Sequence, residues 1–205
     1  MSPFYRFALE VTRLAFFLFY KVTYIGREKI PAAGGYLIVS NHQFLKDPLI
    51  LAHGVRRQVH FMAKEEFFRP LTGWLFRWVG AFPVERGTGD LGAIDRAAQL
   101  IEQGRLVGLF PEGTRSRAGS PMKAKSGAAL IARQTKADII PCGLSFDGSR
   151  GFRSRMTVCF GDPIPYQSLG FEDGESPASL RKVSKRIAEA VNSLRTDLPE
   201  APPQA

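Results

Sequence analysis

The sequence predicts a single α/β domain: a partly parallel central sheet flanked by helices, with an amphipathic helix in front of it. Three observations carry this. Short apolar runs alternate with helix-period segments through the middle of the chain, as strands and crossover helices do. The 205 residues, 44% of them hydrophobic, suffice for one well-buried core but not for two. Several polar clusters fall where an apolar run gives way to a helical segment, which is where open α/β sheets bind ligands.

The first segment is FYRFALEVTRLAFFLFYKV. Its longest uncharged run before Lys21 is Leu14 to Tyr20. As a helix that run spans roughly 10 Å, against a hydrocarbon core of ~30 Å. Taking the whole stretch as a span would put Arg13 near its middle, at roughly 2.5–3.5 kcal/mol. On a helical wheel Arg6, Glu10, Arg13 and Lys21 share one side. Phe4, Ala8, Val11, Ala15, Phe19 and Val22 lie opposite, and Phe17 falls among the charges. Such a helix either lies in a membrane interface or packs on its own domain. The wheel weighs the two equally and the aromatic density favours the membrane, so residues 1–24 are expected to form a membrane-association helix. The basic opening, apolar stretch and small-residue cleavage site of a signal peptide are not apparent.

Strands are expected at Tyr36–Ser40, Val59–Met62, Leu106–Phe110, Ile139–Phe146 and Met156–Phe160. Helices are expected over Pro48–Val55, Glu66–Val79, Leu91–Gln103 and Ser126–Gln134, with Gly104 stopping the third. A last helix starts after Ser176 as cap and Pro177 in first position. Leu180, Val183, Ile187, Val191 and Leu194 make its apolar stripe. The tail DLPEAPPQA, residues 197–205, is expected to be disordered.

Lys and Arg number 28 against 19 Asp and Glu, a net charge of +9. A basic surface attracts nucleic acid, anionic lipid or a phosphorylated small molecule. No nucleic-acid-binding module is visible, so no nucleic-acid partner is expected. Cys142 and Cys159 have no disulfide-framework or metal-type spacing and read as buried strand residues in a reduced setting. A metal site would need His53 or His60 beside His42, and neither has ligand-pair spacing with it; no metal is expected.

Four stretches hold chemistry. In SNHQFLKDP, His42 follows a strand and Asp47 precedes Pro48 at a helix start. Capping alone accounts for Asp47. A carboxylate folded back onto the imidazole would instead fix its tautomer and leave the other nitrogen as a base. In LVGLFPEGTRSR, proline ends the strand and Glu112 and Arg115 are presented beyond it, with glycine letting backbone approach a ligand. An ordinary charged turn is the plainer reading. Lys125 beside the helix start at Ser126 and Gly127 makes an anion site there reasonable. In GAFPVERG, Arg86 is either a second guanidinium for the same anion or a surface partner of Glu85. In IIPCGL, Pro141 marks an edge or bulge that shapes a pocket wall.

Together these stretches resemble the lysophosphatidic acid acyltransferases (1-acylglycerol-3-phosphate O-acyltransferases) of glycerolipid synthesis. The matching blocks are Asn41 to Asp47, Gly80 to Arg86, Phe110 to Ser116, and Ile140-Pro141, across residues 20 to 165. The resemblance implies a glycerolipid acyltransferase domain over 25–196. It implies that His42 is the general base for the acceptor hydroxyl and that Asp47 orients it. Glu112, Gly113, Thr114 and Arg115 would hold the glycerol phosphate, with Arg86 and Lys125 on the phosphate. The acyl donor would be acyl-CoA or acyl-carrier protein, as co-substrate and without further cofactor. The acceptor would be lysophosphatidic acid, the product phosphatidic acid, and the place of work the cytoplasmic face of the cell membrane, on anionic lipid. No acyl-enzyme is needed, and the sequence has no G-x-S-x-G elbow. The same blocks serve enzymes acting on glycerol 3-phosphate, other lysophospholipids or lyso-aminolipids. A non-catalytic anionic-lipid-binding relative is the distant alternative.

Overall fold

The computed structural model describes residues 2–71, 73–84, 91–113, 115, 119–123, 125–146, 154–171 and 176–197. Among these residues, seven strands form one sheet: β1 (Tyr20–Ile25), β2 (Tyr36–Ser40), β3 (Val59–Lys64), β4 (Phe82–Val84), β5 (Leu106–Leu109), β6 (Ile139–Phe146) and β7 (Ser154–Phe160). Their spatial order is β1-β7-β6-β2-β5-β3-β4. Every neighbouring pair is parallel except β6 and β7. The sheet is therefore mostly parallel, as expected.

Among the described residues, six helices surround it: α1 (Pro3–Phe19), α2 (Asp47–Gly54), α3 (Gly73–Trp78), α4 (Leu91–Glu102), α5 (Gly127–Thr135) and α6 (Pro177–Asn192). Strand side chains alternate between faces. Leu37 and Val39 of β2 therefore join a core with α4, α5 and α6. Ile38 between them joins the opposite core, with Ile50 and Leu51 of α2. A central strand buried on both faces needs an unbroken apolar run, which is why YLIVS is legible.

Several expectations need correction. The first helix stops at Phe19, and Tyr20–Ile25 is an edge strand parallel to β7 rather than more helix. Its β-branched and aromatic alternation, KVTYI, competes successfully with helix continuation. The inward stripe of α1 is also different. Tyr5 and Leu9 are buried, Thr12 Oγ1 hydrogen-bonds His53 Nε2 at 2.9 Å, and Phe16 packs edge-on against the His53 ring. α1 thus packs on its own domain along a narrow stripe. It still leaves Phe7, Val11, Leu14 and Phe17 exposed, Phe17 at 70%. Among the described residues, no helix is long and apolar enough to cross a membrane.

The helix expected over Glu66–Val79 is broken. Glu65–Phe68 make a 3₁₀ turn, Arg69 before Pro70 is extended, and α3 begins only at Gly73. The residue before a proline is driven out of the helical region. Trp74 and Trp78 are half-exposed and pack against Phe4 of α1. They belong to a surface aromatic cluster. Cys142 is buried, and burial pushes its thiol well above the ordinary value; Cys159 is only half-buried. Asp197 is no part of a disordered tail: its carboxylate is buried and paired with Arg195 at 2.9 Å. Residues 198–205 lie outside the described residues.

Candidate active site

The sheet explains how residues far apart in sequence meet. Parallel β2 and β5 are in register at Val39 and Leu109. Three residues beyond that pair stand His42 and Glu112, at the same C-terminal sheet edge. They touch: the main-chain N–H of His42 donates to Glu112 Oε2 at 2.8 Å. Asn41 fixes the other side. Its amide donates to the Leu144 carbonyl at 2.9 Å and accepts from the Leu144 N–H at 2.8 Å, pinning the loop to β6.

The His42–Asp47 pair forms. Nδ1 of His42 lies 2.9 Å from Asp47 Oδ2. The same oxygen accepts from the N–H groups of Gln43 at 2.6 Å and Phe44 at 2.8 Å. Asp47 is 0% exposed, and the His42 side chain 12%. The capping expectation for Asp47 fails here. Asp47 is the first helical residue, and Lys46 in the cap position makes no side-chain cap. The carboxylate turns backward onto the loop, where two main-chain N–H groups and one imidazole nitrogen converge. Three polar contacts on one oxygen hold the carboxylate in place. A carboxylate on Nδ1 fixes the orientation of the His42 ring.

Phe110 supports the ring. Its side chain stacks on His42 with centroids 4.5 Å apart, and Phe61 of β3 stacks behind it at 5.9 Å. The sequence marks Phe110 only as a strand end; its place under the base comes from the β2–β5 register.

Beyond Glu112 the chain turns at Gly113, which takes a left-handed φ of +70°. A Cβ there would sit 3.2 Å from Lys125 Nζ. Lys125 therefore lies against this turn, and its main-chain N–H donates to the Pro111 carbonyl at 3.1 Å. Arg115 follows in the same segment and is exposed. Arg86 and Thr114 lie outside the described residues. Strand β4, which precedes Arg86, ends at the same sheet edge as β2 and β5.

Lys125 and Ser126 also line an open cleft of about 590 Å³ with Lys123, Arg181 and Lys185. The packing of α5 against α6 turns Arg181 and Lys185 toward Lys125. Ser126 takes the cap position of α5 without a side-chain cap bond. His53 and His60 are committed elsewhere, His53 to Thr12 and the Leu9 carbonyl, His60 to the Gly80 carbonyl. Among the described residues, no three His, Cys, Asp or Glu side chains gather as metal ligands.

A family model described as Acyltransferase matches residues 21–145, well over half of the chain. The chain belongs to the acyltransferase family. A Bacillus subtilis 1-acyl-sn-glycerol-3-phosphate acyltransferase is 28% identical, over 93% of this acyltransferase and 98% of that protein. The Streptococcus pneumoniae protein of the same name is 33% identical over 80% of the present chain and 62% of its own, so the chain spans less than two thirds of that relative. The fold is that of the crystal structure of the 1-acyl-sn-glycerophosphate (LPA) acyltransferase PlsC from Thermotoga maritima. The TM-score is 0.70 at 23% identity, covering 92% of this acyltransferase and 78% of that chain.

Proposed function

We propose that this acyltransferase moves a fatty acyl group from acyl-CoA or acyl-carrier protein to the sn-2 hydroxyl of 1-acylglycerol 3-phosphate, giving phosphatidic acid. The observation that carries the reading is the buried Asp47 carboxylate on His42 Nδ1, beside a turn bearing Arg115 and Lys125. The names of the relatives point to the same acceptor.

In this reading Nε2 of His42 takes the proton of the acceptor hydroxyl as its oxygen attacks the thioester carbonyl. The tetrahedral adduct collapses, the C–S bond breaks, and the thiolate leaves with the proton held by His42. Asp47 stabilises the imidazolium between the two events. A positioned base of this kind supplies roughly 10²–10⁴ in rate. Arg115, Lys125 and Arg86 take the phosphate. Glu112 borders the glycerol part while holding the His42 main chain. The exposed apolar side chains of α1, with Trp74 and Trp78, would rest in the cytoplasmic membrane interface, where both lipid substrates are found.

The test is an acceptor panel with one labelled acyl-CoA, run with wild type and His42→Ala. Phosphatidic acid from lysophosphatidate in preference to glycerol 3-phosphate, other lysophospholipids and lyso-aminolipids is the expected result, lost in the folded variant. Preference for another acceptor overturns the substrate, and full activity of His42→Ala overturns the mechanism.

A further inference from the structure

After α6 the chain turns back behind the site. Two glycines make room for it. A Cβ on Gly143 would meet Leu194 at 2.9 Å, and one on Gly161 would meet it at 3.0 Å. Asn192 grips the segment beyond Arg115: Met122 N–H donates to its Oδ1 at 2.8 Å, and its Nδ2 donates to the Met122 carbonyl at 3.2 Å. Thr196 N–H donates to Ser145 Oγ at 2.9 Å.

Arg195 and Asp197 then form a two-pronged ion pair, Nε to Oδ1 at 3.0 Å and Nη2 to Oδ2 at 2.9 Å. The Arg195 side chain is 0% exposed and that of Asp197 7%. Each partner also bonds outward from the pair. Arg195 Nη1 donates to the Ser120 carbonyl at 2.7 Å, between Arg115 and Lys125. Asp197 Oδ2 accepts from Gln43 Nε2 at 3.1 Å. Gln43 directly follows His42, and its main-chain N–H is one of the three polar contacts on Asp47.

A buried ion pair adds little net stability over well-packed apolar groups, because desolvation offsets the attraction. What it does add is direction: both groups are fixed by planar, two-pronged geometry. Burial would push the Asp197 carboxyl up, but the hydrogen bonds from Arg195 and Gln43 together hold it below its ordinary value. The same hydrogen bonds keep the carboxylate in its two-pronged contact with Arg195.

We propose that Arg195 and Asp197 are positioning residues that clamp the His42–Asp47 loop and the Ser120–Lys125 segment to each other, so that base and anion-binding turn hold one relative placement. Rigid placement matters because a shift of about 1 Å in a reacting group costs on the order of 10²-fold in rate. The proposal rests on the acyl-transfer reading of His42.

The experiment compares wild type with Asp197→Ala, Gln43→Ala and the double variant. It reads kcat, both KM values and amide hydrogen exchange of the folded proteins. In Asp197→Ala, exchange rises in 41–47 and 119–125 with the sheet strands unchanged, and kcat falls at least tenfold, because all three hydrogen bonds to the carboxylate are lost together. The Gln43→Ala variant raises exchange in 41–47 alone, with a smaller fall in kcat. The double variant is no worse than Asp197→Ala, because one link is broken twice. Unchanged exchange in both segments, or wild-type kcat per folded Asp197→Ala molecule, overturns the clamp; so does simple additivity in kcat. If Asp197→Ala does not fold, Gln43→Ala decides by the same two readouts. Wild-type protein inactive on every acceptor overturns the functional reading, while the exchange data still decide the geometry.

Discussion

Glu112 accepts the main-chain N–H of His42 at 2.8 Å, and this bond joins the loop after β2 to the loop after β5. The two strands are parallel neighbours, so their C-terminal loops leave the sheet side by side. The bond adds a polar link to the stacking of Phe110 on His42 between them. A carboxylate is the strong acceptor such an N–H needs. Glu112→Ala removes it and leaves the donor unpaired, at about 1–3 kcal/mol. We expect kcat/KM to fall by roughly ten- to hundredfold, and less in Glu112→Gln, whose amide oxygen still accepts. Steady-state kinetics on the two variants checks the order; equal activity of Glu112→Ala and wild type would remove the bridge from the mechanism.

Asp47 separates catalysis from folding by the choice of substitution. Asp47→Asn keeps one acceptor oxygen for the N–H groups of Gln43 and Phe44 but loses the charge that stabilises an imidazolium. It should cost about 10² or more in kcat with a small change in melting temperature. Asp47→Ala leaves two main-chain donors without their acceptor, at about 1–3 kcal/mol each, and should lower Tm clearly. The melting curves distinguish the two. A Tm for Asp47→Asn as low as that of Asp47→Ala would mean that the carboxylate serves the loop alone.

Gly113 tests the phosphate side. Its φ of +70° is left-handed, where a side chain costs about 1–2 kcal/mol. The added methyl would also press on Lys125 Nζ. Gly113→Ala should raise the acceptor KM about tenfold more than it lowers kcat, and combined with Lys125→Gln it should lose less than the two single effects together. Full additivity in KM would separate Lys125 from the turn.

The central strands and the start of α6 were legible because a single local cause dominates each. Tyr36–Ser40 is apolar on both faces, and Ser176 followed by Pro177 caps α6 through the Ser179 N–H. Motif spacing brought His42 and Asp47 together correctly, but the direction of the Asp47 carboxylate depends on the conformation of four loop residues. Strand β1 was hidden because its aromatics continue those of α1 and its partner β7 is more than a hundred residues away. Pro70 was a readable break that the aromatic pattern around it obscured. Gln43 and Asp197 carry no mutual signal at all: they are 154 residues apart, and the return of the chain after α6, with Leu194 on Gly143 and Gly161 and Thr196 on Ser145, brings them into contact.

The histidines that serve packing give a pH dependence of stability. Burial holds His53 and His60 below the ordinary histidine value of 6.5, outweighing the hydrogen bonds to Leu9 and Gly80 that favour protonation. The unfolded chain therefore binds protons at a pH where the folded chain does not, and stability rises with pH across that window. The contribution is full above about 6.5 and is lost as pH falls toward the depressed values. Tm should drop by a few degrees between about pH 7.5 and 5.5. The drop should be shallower in His60→Gln; an identical slope in that variant would assign the effect to other groups.

The exposed side chains of α1 provide the test of membrane docking. Phe17 and Leu14 are on the surface, away from the Tyr5–Leu9–Thr12–Phe16 stripe that packs on the domain. Phe17→Glu and Leu14→Glu should leave Tm within about 0.5 kcal/mol of wild type in stability terms, as surface changes do. Each should weaken sedimentation with vesicles containing anionic lipid, because each removes buried apolar area and adds a charge of the wrong sign. Activity toward a short-chain, water-soluble lysophosphatidate should be retained, while activity toward vesicle-borne long-chain acceptor falls. Unaltered vesicle binding of the double variant would move the docking surface away from α1. An equal loss on both acceptors would place Leu14 and Phe17 in the reaction path instead of at the membrane.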